Sequence, residues 1–230
     1  MNEPTGPEPG NRRKVWKRIF NDSVEGKILL SGVLLTILGL VSMLLIAIWD
    51  PATSRIVGVM AFSNITIGRA VSMSIGYAAG QGHGLVLIVN MITETILVLL
   101  FYPLFVFSLK KLIRLDPIKS LLDRTHAAAS KHQAKVRKYG VLGLFTFVWF
   151  PFWMTGPVVG SAIGYLIGFP AWLTLTAVLT GTYVAMVAWA FFLFDIQKRA
   201  AAWGEWAPLA IVGLLLAVVL LGYLTHRHKE

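Results

Sequence analysis

GRAVSMSIGYAAG, residues 68–80, and GPVVGSAIGYLIG, residues 156–168, are two copies of one pattern set 88 residues apart with no gap. Gly68/Gly156, Val71/Val159, Ile75/Ile163, Gly76/Gly164, Tyr77/Tyr165 and Gly80/Gly168 agree. Leu85/Leu173 and Leu87/Leu175 carry the register further, which makes eight identities over residues 68–87. Agreement of that extent points to internal duplication. Glycines four apart also give each copy a stripe along which helix backbones can approach closely in a membrane.

Composition says which solvent the copies face. The chain is 56% hydrophobic and only 14% charged, whereas about a quarter of a soluble domain is charged. An integral membrane protein fits this balance. With no cysteine, disulfides, thiolate metal sites and thiol nucleophiles are excluded. The net charge of +10 is concentrated in two blocks, one at Arg12, Arg13, Lys14, Lys17 and Arg18, the other between Lys110 and Lys138. Such clustering matches the positive bias of cytoplasmic loops. No aromatic-interleaved basic motif accompanies it, so nucleic acid is not expected as a partner.

The pattern of apolar runs predicts an all-α polytopic membrane protein with four transmembrane helices and two re-entrant helical hairpins, arranged as an inverted-topology repeat. Residues 1–27 form a Pro/Gly/Glu-rich, then basic, disordered cytoplasmic N-terminus. Residues 28–49 carry no charge until Asp50-Pro51 and, at about 1.5 Å per residue, are long enough to cross a bilayer. Repeat 1 spans 57–108 and repeat 2 spans 139–194, each a hairpin followed by a helix, and 109–138 is a basic amphipathic connector on the cytoplasmic side. Residues 207–224 form the last helix. The hairpin reading rests on Ser63-Asn64, Arg69, Pro151 and Thr155-Gly156-Pro157, because irregular backbone at membrane depth survives only when buried in protein or lining a wet cavity. Their tips are expected near Ser63–Thr66 and Pro151–Pro157. Hairpins entering from opposite faces place both basic clusters and both termini in the cytoplasm, an arrangement common among secondary transporters.

Two charges fall inside the predicted membrane domain, Arg69 and Glu94. Each costs about 2.5–3.5 kcal/mol at a helix centre, so each needs a partner or a wet cavity. They can brace one another. Alternatively, Arg69 receives an anion, helped by N–H groups at the hairpin tips, Gly156 among them, while Glu94 binds and releases a proton. Asn64, Thr66, Asn90, Thr93 and Thr155 are candidates to line a polar path, although membrane threonines commonly bond back to their own helix. Trp149 and Trp153 flank the second tip, and His83 stands at the outer mouth. His226 and His228 lack the neighbours a metal site needs, and neither a metal nor a cofactor is expected. No nucleophile elbow, metalloprotease motif or phosphate loop is written in the chain, so it does not read as an enzyme.

Lys138-Tyr139-Gly140, Gly143-Leu144-Phe145, Pro151, Thr155-Gly156 and the following Gly160, Ala162 and Gly168 resemble the signature of the putative small multidrug export family. Ile67-Gly68-Arg69-Ala70, followed by Asn90, resembles that family's earlier element. The resemblance runs from Val57 to Trp189. Trp153 stands where the family has a second proline, and Ser72 or Ser74 near the place of another. The family is distantly similar to the DedA (VTT) membrane proteins, so the resemblance implies paired re-entrant hairpins and lipid translocation, notably of polyprenyl phosphates.

The expected function is a transporter or flippase for an anionic amphiphile such as a lipid phosphate, with proton coupling at Glu94, in a prokaryotic inner membrane. Arg69, Asn64, Asn90, Thr155 and Gly156 would hold the substrate. Membrane lipids are expected partners, and a homo-oligomer or membrane complex stays open. The alternatives are export of small cationic drugs, with Glu94 as the binding charge, and a membrane adaptor that transports nothing.

Overall fold

A computed structural model describes residues 23–112, 133–149, 156–201 and 210–217. The described residues are helical apart from short turns and caps. The helices are α1 (Val24–Trp49), α2 (Pro51–Thr66), α3 (Arg69–Ala78), α4 (His83–Leu112), α5 (Gln133–Trp149), α6 (Gly156–Leu166), α7 (Ala171–Ala201) and α8 (residues 210–217). Among the described residues α1, α4 and α7 are long and apolar enough to cross a membrane. Their outer faces are aliphatic and aromatic, with Leu44, Ile48, Phe101, Leu104 and Phe191 exposed, as lipid-facing helices require. The protein is an integral membrane protein.

Several boundaries differ from the sequence expectation, and caps explain the differences. α1 begins at Val24 rather than residue 28 because the Ser23 hydroxyl accepts the Gly26 N–H at 3.0 Å. α2 begins at Pro51 rather than residue 57. Asp50 accepts the N–H groups of Ala52 and Thr53, each at 3.1 Å, and proline at the first helical position gives up only a donor that has no helical partner anyway. Asp50-Pro51 therefore ends one helix and starts the next. The connector expected over 109–138 lends its first residues to α4 and its last six to α5, while 113–132 lie outside the described residues. α7 runs to Ala201, with Lys198 and Arg199 in its last turn where they complement the helix dipole. Of the fourth expected helix, 207–224, the described part is 210–217, and it is helical.

The Asp50 cap has a pH signature. Its bonds to the Thr53 hydroxyl and backbone, together with the Ala52 N–H, hold the carboxyl below its ordinary range. A depressed folded value means that the stabilisation is present above the unfolded value and is lost as pH falls through the folded one. Acid unfolding of Asp50→Asn should therefore show a shallower loss of stability below the ordinary carboxylate range than the wild type.

The helices fall into two groups of three. α2, α3 and α4 pack on one another, as do α5, α6 and α7; between the groups α3 meets α7, α6 meets α4, and α4 meets α7. Exchanging the groups maps this set of contacts onto itself. α1 lies against α2 and α4. The agreement extends to single bonds. At the end of α3, N–H groups of Ala79, Gly80 and Gln81 reach the carbonyls of Ile75, Tyr77 and Gly76; at the end of α6, those of Ile167, Gly168 and Phe169 reach Ile163, Tyr165 and Gly164. Gly80 at φ 75° and Gly168 at φ 88° occupy the left-handed conformation that closes both helices. A Cβ on Gly76 would meet Val86, and one on Gly164 would meet Thr174, 88 residues on in both partners. Ser72 bonds the Met60 carbonyl, and Gly160 sits against Val148, again 88 apart.

Candidate polar site at the helix break

Between α2 and α3 the backbone turns at Ile67-Gly68. Both of their N–H groups bond the Ser63 carbonyl, which closes α2, and Gly68 then takes φ 127°, where a side chain would clash. This break lies just after the expected tip and puts Arg69 at the first position of α3. Replacing Gly68 by Ala should cost about 1–3 kcal/mol of stability through backbone strain alone, measurable by thermal unfolding.

Arg69 is 4% exposed. Its Nη2 donates to the carbonyl oxygens of Val148 at 2.5 Å and Trp149 at 3.2 Å, the last two residues of α5. These are the carbonyls that a helix end leaves without an internal partner, and a cation there also meets the negative end of the dipole. One guanidinium thus ties the break in the first group of helices to the corresponding helix end in the second. Of the second expected tip, Pro151–Pro157, residues 151–155, including Pro151, Trp153 and the candidate Thr155, lie outside the described residues. Gly156, also a candidate, opens α6.

Arg69 is within electrostatic reach of Glu94 on α4. Glu94 is 3% exposed, and its Oε2 has no hydrogen-bond partner among the described residues. One turn earlier on the same helix face stands Asn90. Its Oδ1 accepts from Asn64 Nδ2 at 2.8 Å, and its own amide donates to the Val86 carbonyl at 2.8 Å. Asn64 and Asn90 are therefore brought together, although 26 residues apart, and Asn64 Oδ1 has no partner among the described residues. Four of the expected site residues, Asn64, Arg69, Asn90 and Glu94, belong to one buried polar region where α2, α3, α4 and the end of α5 converge. Thr66 and Thr93 take no part: their hydroxyls return to Phe62 and Val89 of their own helices.

His83 starts α4, bonds the Tyr77 hydroxyl at 3.1 Å and packs at a tilt against Phe194 with ring centroids 4.0 Å apart. It tethers α3 and α4 to α7. Along α5, Tyr139, Leu142, Gly143, Thr146 and Phe147 line an open, almost wholly apolar groove of about 630 Å³.

Sequence reasoning overlooked further buried polar groups. Thr174, Thr182 and Ser74 carry hydroxyls with no partner among the described residues. Thr182 stands 88 residues after Glu94, and the hydroxyl of Thr95 bonds that of Tyr183, again 88 apart. Continuing the repeat register beyond residue 87 would have found both pairs.

Residues 69–188, just over half of the chain, match the protein family described as putative small multi-drug export protein. No curated protein and no solved structure matches the chain.

Proposed function

Because the chain belongs to the putative small multi-drug export protein family, we propose that it is a membrane transporter that moves an anionic amphiphile, such as a lipid phosphate, together with a proton. The observation carrying this reading is the buried pair of Arg69 and Glu94 at a helix break where the two groups of helices are tied to each other. Arg69 offers a planar fork suited to phosphate oxygens, and an incoming anion would compete with the Val148 and Trp149 carbonyls for it. An anion on Arg69 and a proton on Glu94 each cancel the charge the other faces, so their binding is mutually favourable, as linkage requires. The apolar groove on α5 has the chemistry to take part of an acyl or prenyl tail. The distant similarity that the sequence reading gives this family to the DedA proteins implies the same substrate class.

The two groups of helices are, in this reading, an inverted-topology pair. Support comes from the contacts that exchange between groups and from an antiparallel pairing of α4 and α7. With the N-terminus in the cytoplasm, cysteines introduced within 110–138 and 225–230 should label from the cytoplasmic side and those within 197–205 from outside. Labelling of 110–138 from outside would remove the inverted arrangement.

Flux of a labelled polyprenyl phosphate into proteoliposomes tests the function. Transport at wild-type rates in Arg69→Ala would overturn the role of Arg69, and no flux of any phosphate lipid by folded protein would favour an adaptor. A second reading, export of small organic cations, is favoured by the unpartnered Oε2 of Glu94 and by the family's description. It expects cation flux that survives Arg69→Ala and disappears in Glu94→Gln.

A further inference from the structure

The charged residue given to proton coupling stands on the axis that relates the two groups of helices. α4 and α7 run antiparallel. Val86 of α4 shares a cluster with Ala190 of α7, and Val98 shares another with Val178, so positions advance along one helix as they recede along the other. One turn before Val98 is Glu94, and one turn after Val178 is Thr182. In this register the two face each other. They are also 88 residues apart, so the pair is its own counterpart when the groups exchange. The hydrogen bond between Thr95 and Tyr183, the next residue of each helix, has the same self-matching property. In a symmetric assembly such contacts occur only where the two-fold axis passes.

Both residues at this place keep an oxygen without a partner among the described residues, Oε2 of Glu94 and Oγ1 of Thr182, in side chains 3% and 0% exposed. Thr182 shares this with Thr174 and differs in it from other threonines of the described helices. Thr66, Thr93, Thr95, Thr146 and Thr180 all bond a carbonyl of the preceding turn. A buried hydroxyl and a buried carboxyl that each lack a partner are costly unless something else satisfies them. A bound water needs two to four polar partners, and this place provides two facing oxygens.

We infer that Glu94 and Thr182 together hold an ordered water on the axis between α4 and α7, and that Thr182 positions the proton carried by Glu94. The inference rests on the reading of Glu94 as a proton carrier. A proton leaving the carboxyl passes to the water, leaving a carboxylate and a hydronium ion that donates a hydrogen bond to the Thr182 oxygen, so the threonine holds in place the water that takes up the released proton. Among the titratable groups on helices packed against α4, Arg69 of α3 acts on Glu94. Tyr183 of α7 is held by Thr95, Tyr77 of α3 by His83, Tyr165 of α6 lies against Tyr102 and Phe105, and Glu25 of α1 acts on Tyr102. Arg55 of α2 and Lys27 of α1 lie near the starts of their helices.

Infrared titration of the protonated-carboxyl C=O band in purified full-length protein tests this without any substrate. A band absent from Glu94→Gln should titrate in the wild type, its midpoint should move by about one pH unit in Thr182→Val, and Thr182→Ser should restore it. An unchanged midpoint in Thr182→Val overturns the role of Thr182 and leaves the proton reading standing. Absence of any Glu94 band across the pH range overturns both. Should Thr182→Val not fold, Thr182→Ala replaces it: a moved midpoint supports the role of Thr182, and an unchanged one overturns it.

Discussion

Replacing Arg69 by Met lowers the thermal stability of the detergent-purified protein by about 3–5 kcal/mol, because it strands a buried charge on Glu94. The loss should exceed that of Glu94→Gln. Arg69 also supplies the donor for the carbonyls of Val148 and Trp149, and a buried carbonyl left without one adds about 1–3 kcal/mol. The double variant Arg69→Met with Glu94→Gln should recover the electrostatic part of the loss and keep the part due to the carbonyls. A double-mutant cycle separates the two. Strictly additive losses would mean that the residues do not brace one another, and near-wild-type stability in both single variants would place Arg69 in a wet cavity. Lipid binding measured on the same four proteins reads the functional side: only variants lacking Arg69 should lose phosphate-headgroup binding.

The second large effect is steric and tests the duplication at two sites at once. A Cβ on Gly76 would lie 2.8 Å from Val86 and 2.9 Å from Met60, and one on Gly164 would lie 2.5 Å from Thr174. Gly76→Val should force α3 away from α4, and Gly164→Val should force α6 away from α7. Each should cost at least about 1–3 kcal/mol, the usual scale of overpacking, and yield less monodisperse protein. Gly84→Ala, where a Cβ meets nothing within 4 Å, is the matched control and should behave as wild type. If either valine variant keeps wild-type stability, the close approach on that side does not hold the helices together.

Much of this arrangement can be read from the sequence by itself. A hydrophobic run without charges has one physical solution in a bilayer, so the long helices around Ile28–Trp49, Gly84–Ser108 and Pro170–Phe194 were legible. The break near residue 66 was legible too, because Ser63-Asn64 and Gly68-Arg69 together suit neither lipid nor a continuous helix, and the repeat was visible as spaced glycines and tyrosines. Boundaries set by caps were less so: Ser23 and Asp50 lengthen α1 and α2 through bonds that hydropathy does not register.

Only the tertiary structure decided what Arg69 and Glu94 do with their charges. Sequence placed both at depth, but it could not say that the guanidinium would reach helix carbonyls 79 and 80 residues away. Nor could it bring Asn64 to Asn90. Those pairings depend on how helices cross, and crossing is set by where small residues let backbones approach. Gly76 against Val86, Gly164 against Thr174 and Gly181 against Phe145 fix those approaches. Local composition carries the elements; the packing of distant glycines determines which polar groups meet at the centre.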